Sequence, residues 1–541
     1  MRRTCVILLG VMAVAVGCAP QVQRPATQDA EGQPKSGGVL KMRESVYFTN
    51  LDPTQGLRGE ASFISNFVFD SLLGFKSDPT VKYDDVLLAP RLAERWEAAP
   101  GGKAYTFRLR KGVKFANLPP VNGRELTSAD VKWSFEYIAR TGPFKDVKFP
   151  KANQIAFKLQ GLDRVETPDP YTAVVYFKNP YAPFLTYAAT THLGVMPHEV
   201  YDADGHLNDR PIGSGPWQAD LQRWQADSRM VFKKNPDYWD AGKPYLDEVQ
   251  GLVITDDAAA VAAFQAKQID VFRDIDSLEG VERMQAAVPG AGSVKYLGWN
   301  ALRFYYNINV PPFTDVRFRR AMNLATDRDE FVRVSTKGQG AWAMNGAVPG
   351  VFTDAELRQL LPYKPEEAKR LLREAGYDPS TEIETLYTTG YGQQLLSDIQ
   401  LLQAQLKKVG IQIKIVTLDR TDLSNRRRQG DYMMAPTGVG PALEPDPDVY
   451  FYSYFHPKSG TNYYKVDDPK LTQLAEEQRA EPDPIKRKEI WRQEARYINE
   501  MGYALWTHHA PGFDFWQAHV KGHHPNVATR GYPTRDVWLD R

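Results

Sequence analysis

Three acids stand together in Glu444-Pro445-Asp446-Pro447-Asp448, in a loop that two prolines stiffen. Carboxylates so placed suit a cation or a ligand ammonium; they equally suit a solvated loop, and the residues alone leave both readings open. His508, His509, His519, His523 and His524 make up five of the nine histidines. Imidazole is a metal ligand, and His519 and His523 have i, i+4 spacing, which matters only if this tail is helical. Arg426-Arg427-Arg428 reads as a solvated charge run or as the source of one guanidinium for a ligand carboxylate. Aromatic side chains crowd two stretches, Tyr450, Phe451, Tyr452, Tyr454 and Phe455, then Trp506, Phe513, Phe515 and Trp516. Core packing accounts for most of them, and broad amphipathic faces also suit a pocket for an extended or sugar-like ligand.

The marks of an exported enzyme are missing. The chain has no G-x-S-x-G elbow, no Walker loop and no C-x-x-C pair, and His198-Glu199 lacks the second histidine of a zinc protease motif. A glycosidase-like carboxylate pair leaves no spacing in sequence, so a lipid-anchored hydrolase stays as a minor reading beside a metal-chelate binder. No cofactor and no metal ligand are assigned.

The N-terminus says where such a protein works. Met1-Arg2-Arg3-Thr4 is a short basic start, Val6 to Val16 is apolar, and Ala15-Val16-Gly17-Cys18 has the form of a lipobox whose cysteine takes the lipid. The apolar run falls short of the ~20 residues of a spanning helix, so residues 1–18 read as a lipoprotein signal peptide. A cleaved signal without lipid, or a core helix, is the alternative. From Ala19 to Gly38 the chain is rich in Pro, Gln, Ala and Gly, so 19–37 reads as a disordered tether holding the body off a membrane. Cys5 and Cys18 are the only cysteines, so the folded part has no disulfide and is held by burial. Lys plus Arg at 67 against Asp plus Glu at 66 argues against a nucleic-acid partner. At 541 residues and 42% hydrophobic content the chain exceeds the size of a single core, so more than one lobe is expected.

The elements that must position these residues are legible in patches. VLKMRES from Val39 alternates like a strand, as do YTFRLRKGVK from Tyr105 and TAVVYF from Thr172. Thr127 and Asp130 form a capping-box pair before Val131, Phe135 and Ile138 on one helix face. Pro365 opens a helix with Ala368, Leu371, Leu372 and Ala375 on one face, and Gly376 ends it. A strand IETLYTT follows, then a helix through Leu395, Ile399, Leu402, Leu406 and Val409, then a strand alternating Ile411, Ile413 and Ile415. Helix, strand, helix, strand is α/β construction.

Read in order, the body resembles the family 5 extracellular solute-binding proteins, the oligopeptide, dipeptide and nickel class of ABC-transporter receptors. The landmarks include Asn50-Leu51-Asp52-Pro53, LAERWEAAPGGKAYTFRLRKGVKF from Leu92, NGRELTSADVKWSFEYI from Asn122 and IGSGPWQ from Ile212. They continue with KKNPDYWDAGKPYLDEV from Lys233, TDVRFRRAMNLATDR from Thr314 and KPEEAKRLLREAGY from Lys364. The resemblance implies an α/β, two-lobed periplasmic-binding-protein fold of the class II type with an additional domain in the first lobe. The expected division is 38–80, 205–300 and 503–541 for lobe I, 81–204 for the extra domain, and 301–502 for lobe II. It further implies a monomeric, non-catalytic receptor, extracytoplasmic and lipid-anchored, that closes about a hinge on its solute and delivers it to the permease of an ABC importer, whose ATPase subunits do the hydrolysis.

Peptide-binding relatives carry W-x-x-D just before the proline-rich loop, and its aspartate pairs with the ligand ammonium. Here that stretch is Gly440-Pro441-Ala442-Leu443, and Glu444 is the nearest substitute. Without one, a buried ammonium costs several kcal/mol. Loss of the aspartate tilts toward an oligosaccharide stacked on aromatic rings; an oligopeptide-like solute stands first because such ligands are common in the family, and the oligosaccharide second. The segments lining the cleft in the family point to Tyr47, Phe48, Trp342, Tyr391, Arg427, Glu444 and Trp506 as ligand contacts.

Overall fold

Strands Val39–Glu44 and Glu248–Val253 lie side by side in parallel, Leu40 against Val249 and Met42 against Gly251, with Leu40, Met42 and Val249 fully buried. The computed structural model describes residues 32–44, 51–54, 60–147, 155–225, 227–275, 278–299, 301–344, 351–391, 393–437, 445–459, 461–529 and 535–541. The lipobox cysteine Cys18, Tyr47, Phe48 and Glu444 lie outside these, and of Tyr391 only the backbone is described, in the short turn Thr389–Tyr391. The chain divides into two units, Met1–Gln33 and Pro34–Arg541, and the second holds the regular structure of the described residues. Lys35 pairs with Asp540 at 2.5 Å, and the Gly37 N–H donates to the Tyr245 carbonyl at 2.8 Å.

The first sheet has seven strands in the order Gly292–Leu297, Pro511–Trp516, Val271–Ile275, Val39–Glu44, Glu248–Val253, Arg229–Lys234 and Trp217–Ala219. A second, five-stranded sheet runs Gln412–Thr417, Glu382–Tyr387, Met434–Thr437, Arg303–Tyr306 and Leu505–Trp506. Glu382–Tyr387 pairs in parallel with Gln412–Thr417, as a strand–helix–strand unit requires, and helix Gln393–Lys407 makes that crossover. A third sheet, Ala93–Ala98, Ala104–Leu109, Thr172–Phe177 and Leu162–Asp169, is antiparallel throughout. Helix Ser128–Ala139 belongs to the same core, its start fixed by the capping box in which the Thr127 N–H donates to Asp130 at 2.8 Å. Val131, Phe135 and Ile138 are each 0% exposed, a burial of about 1.5–3 kcal/mol per side chain.

Alternation divides the second sheet into two faces. Phe304, Tyr306, Met434 and Leu505 pack into one core with the helices around Phe318 and Ile399. Tyr305, Ala435 and Trp506 point the other way, into a core with Tyr450, Phe451 and Tyr454. The chain passes between the first and second sheets at 298–302 and again at 507–510, where the two crossings bond to each other. Gly298 N–H donates to the Ala510 carbonyl at 2.9 Å and Leu302 N–H to the His508 carbonyl at 2.9 Å. The short strand Ala341–Trp342 pairs with His508–His509 and braces the second crossing. Strand Leu505–Trp506 pairs with Arg303 and Phe304, so it belongs to the second sheet, although the expected boundary at 503 assigns it to the first lobe.

Candidate functional site

Strand Arg303–Tyr306 is flanked by Met434–Thr437 on one side and Leu505–Trp506 on the other, with Thr437, Arg303 and Trp506 in direct register. Residues opposite one another across a sheet share a face, so these three side chains form one row. Arg303 is only 4% exposed, and its guanidinium lies 4.2 Å from the Tyr454 ring centre and 5.2 Å from that of Trp506. Burial opposes its charge, but the surrounding tyrosines Tyr454, Tyr464 and Tyr450 outweigh that and raise its pKa. Two residues on, Tyr305 shares the face and is ringed by Tyr432, Tyr463 and Tyr464 at 5.6–6.0 Å between ring centres.

Helix Arg420–Gln429 brings a second cation to the same aromatic group. Asp419 caps its start, Gly430 ends it with φ of 80°, and the Arg427 guanidinium stacks 4.3 Å from Tyr463 and 5.3 Å from Tyr305. The arginine run is thus more than a solvated face. Arg426 donates to Glu384 at 2.7 Å and to Asp431 at 2.9 Å, and Arg428 turns outward to Asn425. The indole N–H of Trp506, the Tyr432 hydroxyl and the Thr437 hydroxyl are buried atoms with no hydrogen-bond partner among the described residues.

The acidic loop is neither a solvated loop nor an open cation site at the two positions described. Arg487 grips Asp446 through two bonds of 2.9 and 2.8 Å, and Arg479 grips Asp448 through two of 2.7 Å. Burial would raise the Asp448 carboxyl, but the facing Arg479 guanidinium reverses this and holds it below the usual carboxylate range. The same arginine donates to Gln160 at 2.6 Å, and its carbonyl accepts the Ala182 N–H at 2.7 Å. Gln160 also bonds Tyr452. The third-sheet region is thereby joined to helix Asp448–Phe455, in which Tyr450, Phe451 and Phe455 are core residues.

The aromatic crowd near the C-terminus is split between the two sheets. Trp506 stands beside Arg303, whereas Phe513 and Phe515 fill a core of the first sheet. Trp342 is half-buried on the bracing strand; its indole N–H donates to Asp329 at 3.1 Å and its face lies 4.5 Å from the Arg358 guanidinium. The histidines do not converge. His508 stacks on Phe331, His509 donates to the Gly298 carbonyl, His519 faces Asp270, and His523 packs on Trp516. Val520–Lys521 is a strand, so i, i+4 spacing does not bring His519 and His523 onto a helix face. Among the described residues no group of three or more His, Cys, Asp or Glu is placed to hold a metal ion.

Sequence reasoning singled out Trp506 and Arg427 and missed Arg303, Tyr305, Tyr432 and Thr437. The signal for the first two of these was present, since a charge at Arg303 and a phenol at Tyr305 alternate with the apolar-core residues Phe304 and Tyr306.

Residues 88–462 match the model of the bacterial extracellular solute-binding proteins, family 5, middle region. The chain belongs to that family. This family 5 protein is 28% identical to the dipeptide-binding protein of Escherichia coli K12, over 97% of this chain and 96% of the relative. Its fold matches that of the dipeptide-binding protein of Pseudoalteromonas sp. SM9913, solved with Met-Leu, at a TM-score of 0.78 and 22% identity, covering 93% and 100% of the two chains. It also matches AgaA of A. tumefaciens R10, solved with agropinic acid, at a TM-score of 0.77 and 23% identity over 93% and 99%. The fold is therefore the two-lobed one of family 5 receptors, and the relatives are binding proteins rather than enzymes. Among the described residues no helix is long and apolar enough to cross a membrane.

Proposed function

We propose that this chain is the solute receptor of an ABC importer, capturing an oligopeptide-like solute between its lobes and presenting it to a membrane permease. The observation that carries the reading is similarity to a dipeptide-binding protein along nearly the whole of both chains. The paired crossings at 298–302 and 507–510 are the hinge in this reading. The lobes are 38–80, 205–300 and the tail for the first, and 301 onward for the second, with 81–204 as the extra domain. Pairing of Leu505–Trp506 with Arg303 and Phe304 supports a last boundary near 507 in this reading. A ligand that touches both lobes favours the closed form by its extra contacts there.

The oligosaccharide reading is weakened by what the aromatic rings already do. Sugar stacking needs an open ring face, yet Trp506 is 2% exposed beside Arg303, and Arg358 lies over Trp342. Cys18 as a lipid anchor completes the proposal, placing the receptor outside the cytoplasm at a membrane. Native mass spectrometry of the protein purified without added ligand tests the capture directly. Retained masses in the peptide range support it, and retained hexose oligomers would replace it with the sugar reading.

A further inference from the structure

We infer that Gln160, Ala182 and Tyr187, reaching from the third-sheet region onto Arg479, Asp448 and Tyr452, form a latch that holds the two lobes closed and so sets how tightly the receptor keeps its solute. This rests on the receptor reading and deepens it, since it gives the closed form a contact made by the protein alone.

The third-sheet region is built into the body of the first sheet. Val131, Phe135 and Tyr187 share one core with Leu40, Met42 and Val249. The backbone joins them as well: the Ala93 N–H donates to the Leu72 carbonyl, the Val195 N–H to that of Asp70 and the Ala116 N–H to that of Gly213, each at 2.9 Å. Arg479 and Asp448 stand on helices Pro469–Ala480 and Asp448–Phe455, whose Leu471, Tyr450 and Phe451 belong to a core of the second sheet. The chain passes between the first and second sheets at 298–302 and 507–510, so the contact at Arg479 is a further bridge, made without a chain crossing.

Its bonds are suited to opening and closing. Asp448 holds two bonds from Arg479 and one of 2.5 Å from Gln478 that do not depend on Tyr187. Separation therefore leaves no unpaired buried charge, which is what makes a broken ion pair expensive. It gives up four bonds: Tyr187 to Asp448 at 3.1 Å, Arg479 to Gln160 at 2.6 Å, Gln160 to Tyr452, and the Ala182 N–H to the Arg479 carbonyl at 2.7 Å. Two of the four have a charged partner and are stronger for it, and water can replace the partner in every one. The apolar share includes Phe157, partly buried between the two cores with its ring centre 5.7 Å from that of Tyr187. Polar contacts of this kind mark interfaces within a chain that move. The apparent dissociation constant of a solute rises as the fraction of receptor already in the binding form falls, so loosening the latch loosens the solute.

Small-angle X-ray scattering and isothermal titration with di- and tripeptides, on the purified full-length protein, compare the parent with the double variant Gln160→Ala, Tyr187→Phe. The variant is expected to have a larger radius of gyration without peptide, to recover the parent's radius at saturating peptide, and to bind about three- to tenfold more weakly. Tyr105→Phe is the control: it removes a buried hydroxyl bond of 2.9 Å to the Tyr181 carbonyl inside the third-sheet region, and should change neither quantity. If the double variant fails to fold, Gln160→Ala alone carries the same expectation. Unchanged radius and affinity in the variant, or equal changes in Tyr105→Phe, overturn the latch and leave the receptor reading standing. Failure of the parent to bind any peptide removes the receptor reading instead, and the radius then decides the latch by itself.

Discussion

The Tyr187 hydroxyl donates to Oδ2 of Asp448 at 3.1 Å, across a sequence separation of 261 residues. Tyr187 sits on helix Phe184–Ala188, and Asp448 is the first residue of the helix that follows the acidic loop. The bond fastens the third-sheet region to the same carboxylate that Arg479 holds. One aspartate thus serves as ion-pair partner of Arg479 and as acceptor for Tyr187.

Removing that carboxylate is expected to be costly. Asp448→Asn leaves the buried Arg479 facing a neutral amide and should destabilise the fold by about 3–5 kcal/mol, read from urea unfolding. Tyr187→Phe removes one neutral-to-charged bond and should cost less, about 1.5–3 kcal/mol. Equal losses from the two variants would contradict the division of roles.

The strand Ala341–Trp342 that pairs with His508–His509 is sterically tight at its start, Gly340. A Cβ built there lies 2.5 Å from the His509 carbonyl oxygen and 2.8 Å from the Thr336 side chain. Gly340→Ala must therefore push the bracing strand off the crossing, with an expected loss of about 1–3 kcal/mol. Unchanged thermal unfolding would show that the strand yields without cost.

Stability should fall on mild acidification. Burial pushes the His508 and His523 imidazoles down to about 3, while an unfolded histidine titrates near 6.5. The folded values are depressed, so the unfolded chain binds protons first. Stability is full above about pH 6.5 and falls by about 1.4 kcal/mol per pH unit per histidine as pH drops toward 3. His508→Gln cannot titrate, so its melting temperature should decline less steeply between pH 7 and pH 5 than the parent's. Parallel curves would contradict this.

Asp398 carries the opposite sign. It is 3% exposed on helix Gln393–Lys407, and burial pushes its carboxyl up to about 6. Its raised value favours the folded state at low pH, and that advantage is lost as pH rises from about 4 through 6. Asp398→Asn, which keeps an acceptor for Gln394, should stabilise the protein by about 1–3 kcal/mol at pH 8 and not at pH 4.

Local signals were readable and long-range ones were not. Pro365 and Gly376 bound a helix that runs Pro365–Glu374, and the alternation of Ile411, Ile413 and Ile415 marks strand Gln412–Thr417, because propensity, capping and periodicity act within a few residues. The row of Thr437, Arg303 and Trp506 joins strands more than 130 residues apart, so no window of sequence displays it. The acidic loop failed as a sequence signal for a related reason. Three acids in five residues invite a cation, and nothing near them announces that Arg479 and Arg487 fold back from later helices to take two of the three.

Thermal unfolding in the presence of candidate solutes tests the central claim most directly. A solute at about 100 times its dissociation constant adds about 2.7 kcal/mol to the stability of the state that binds it. The account predicts that di- to oligopeptides raise the melting temperature and that oligosaccharides leave it unchanged. A rise with oligosaccharides and none with peptides would contradict it.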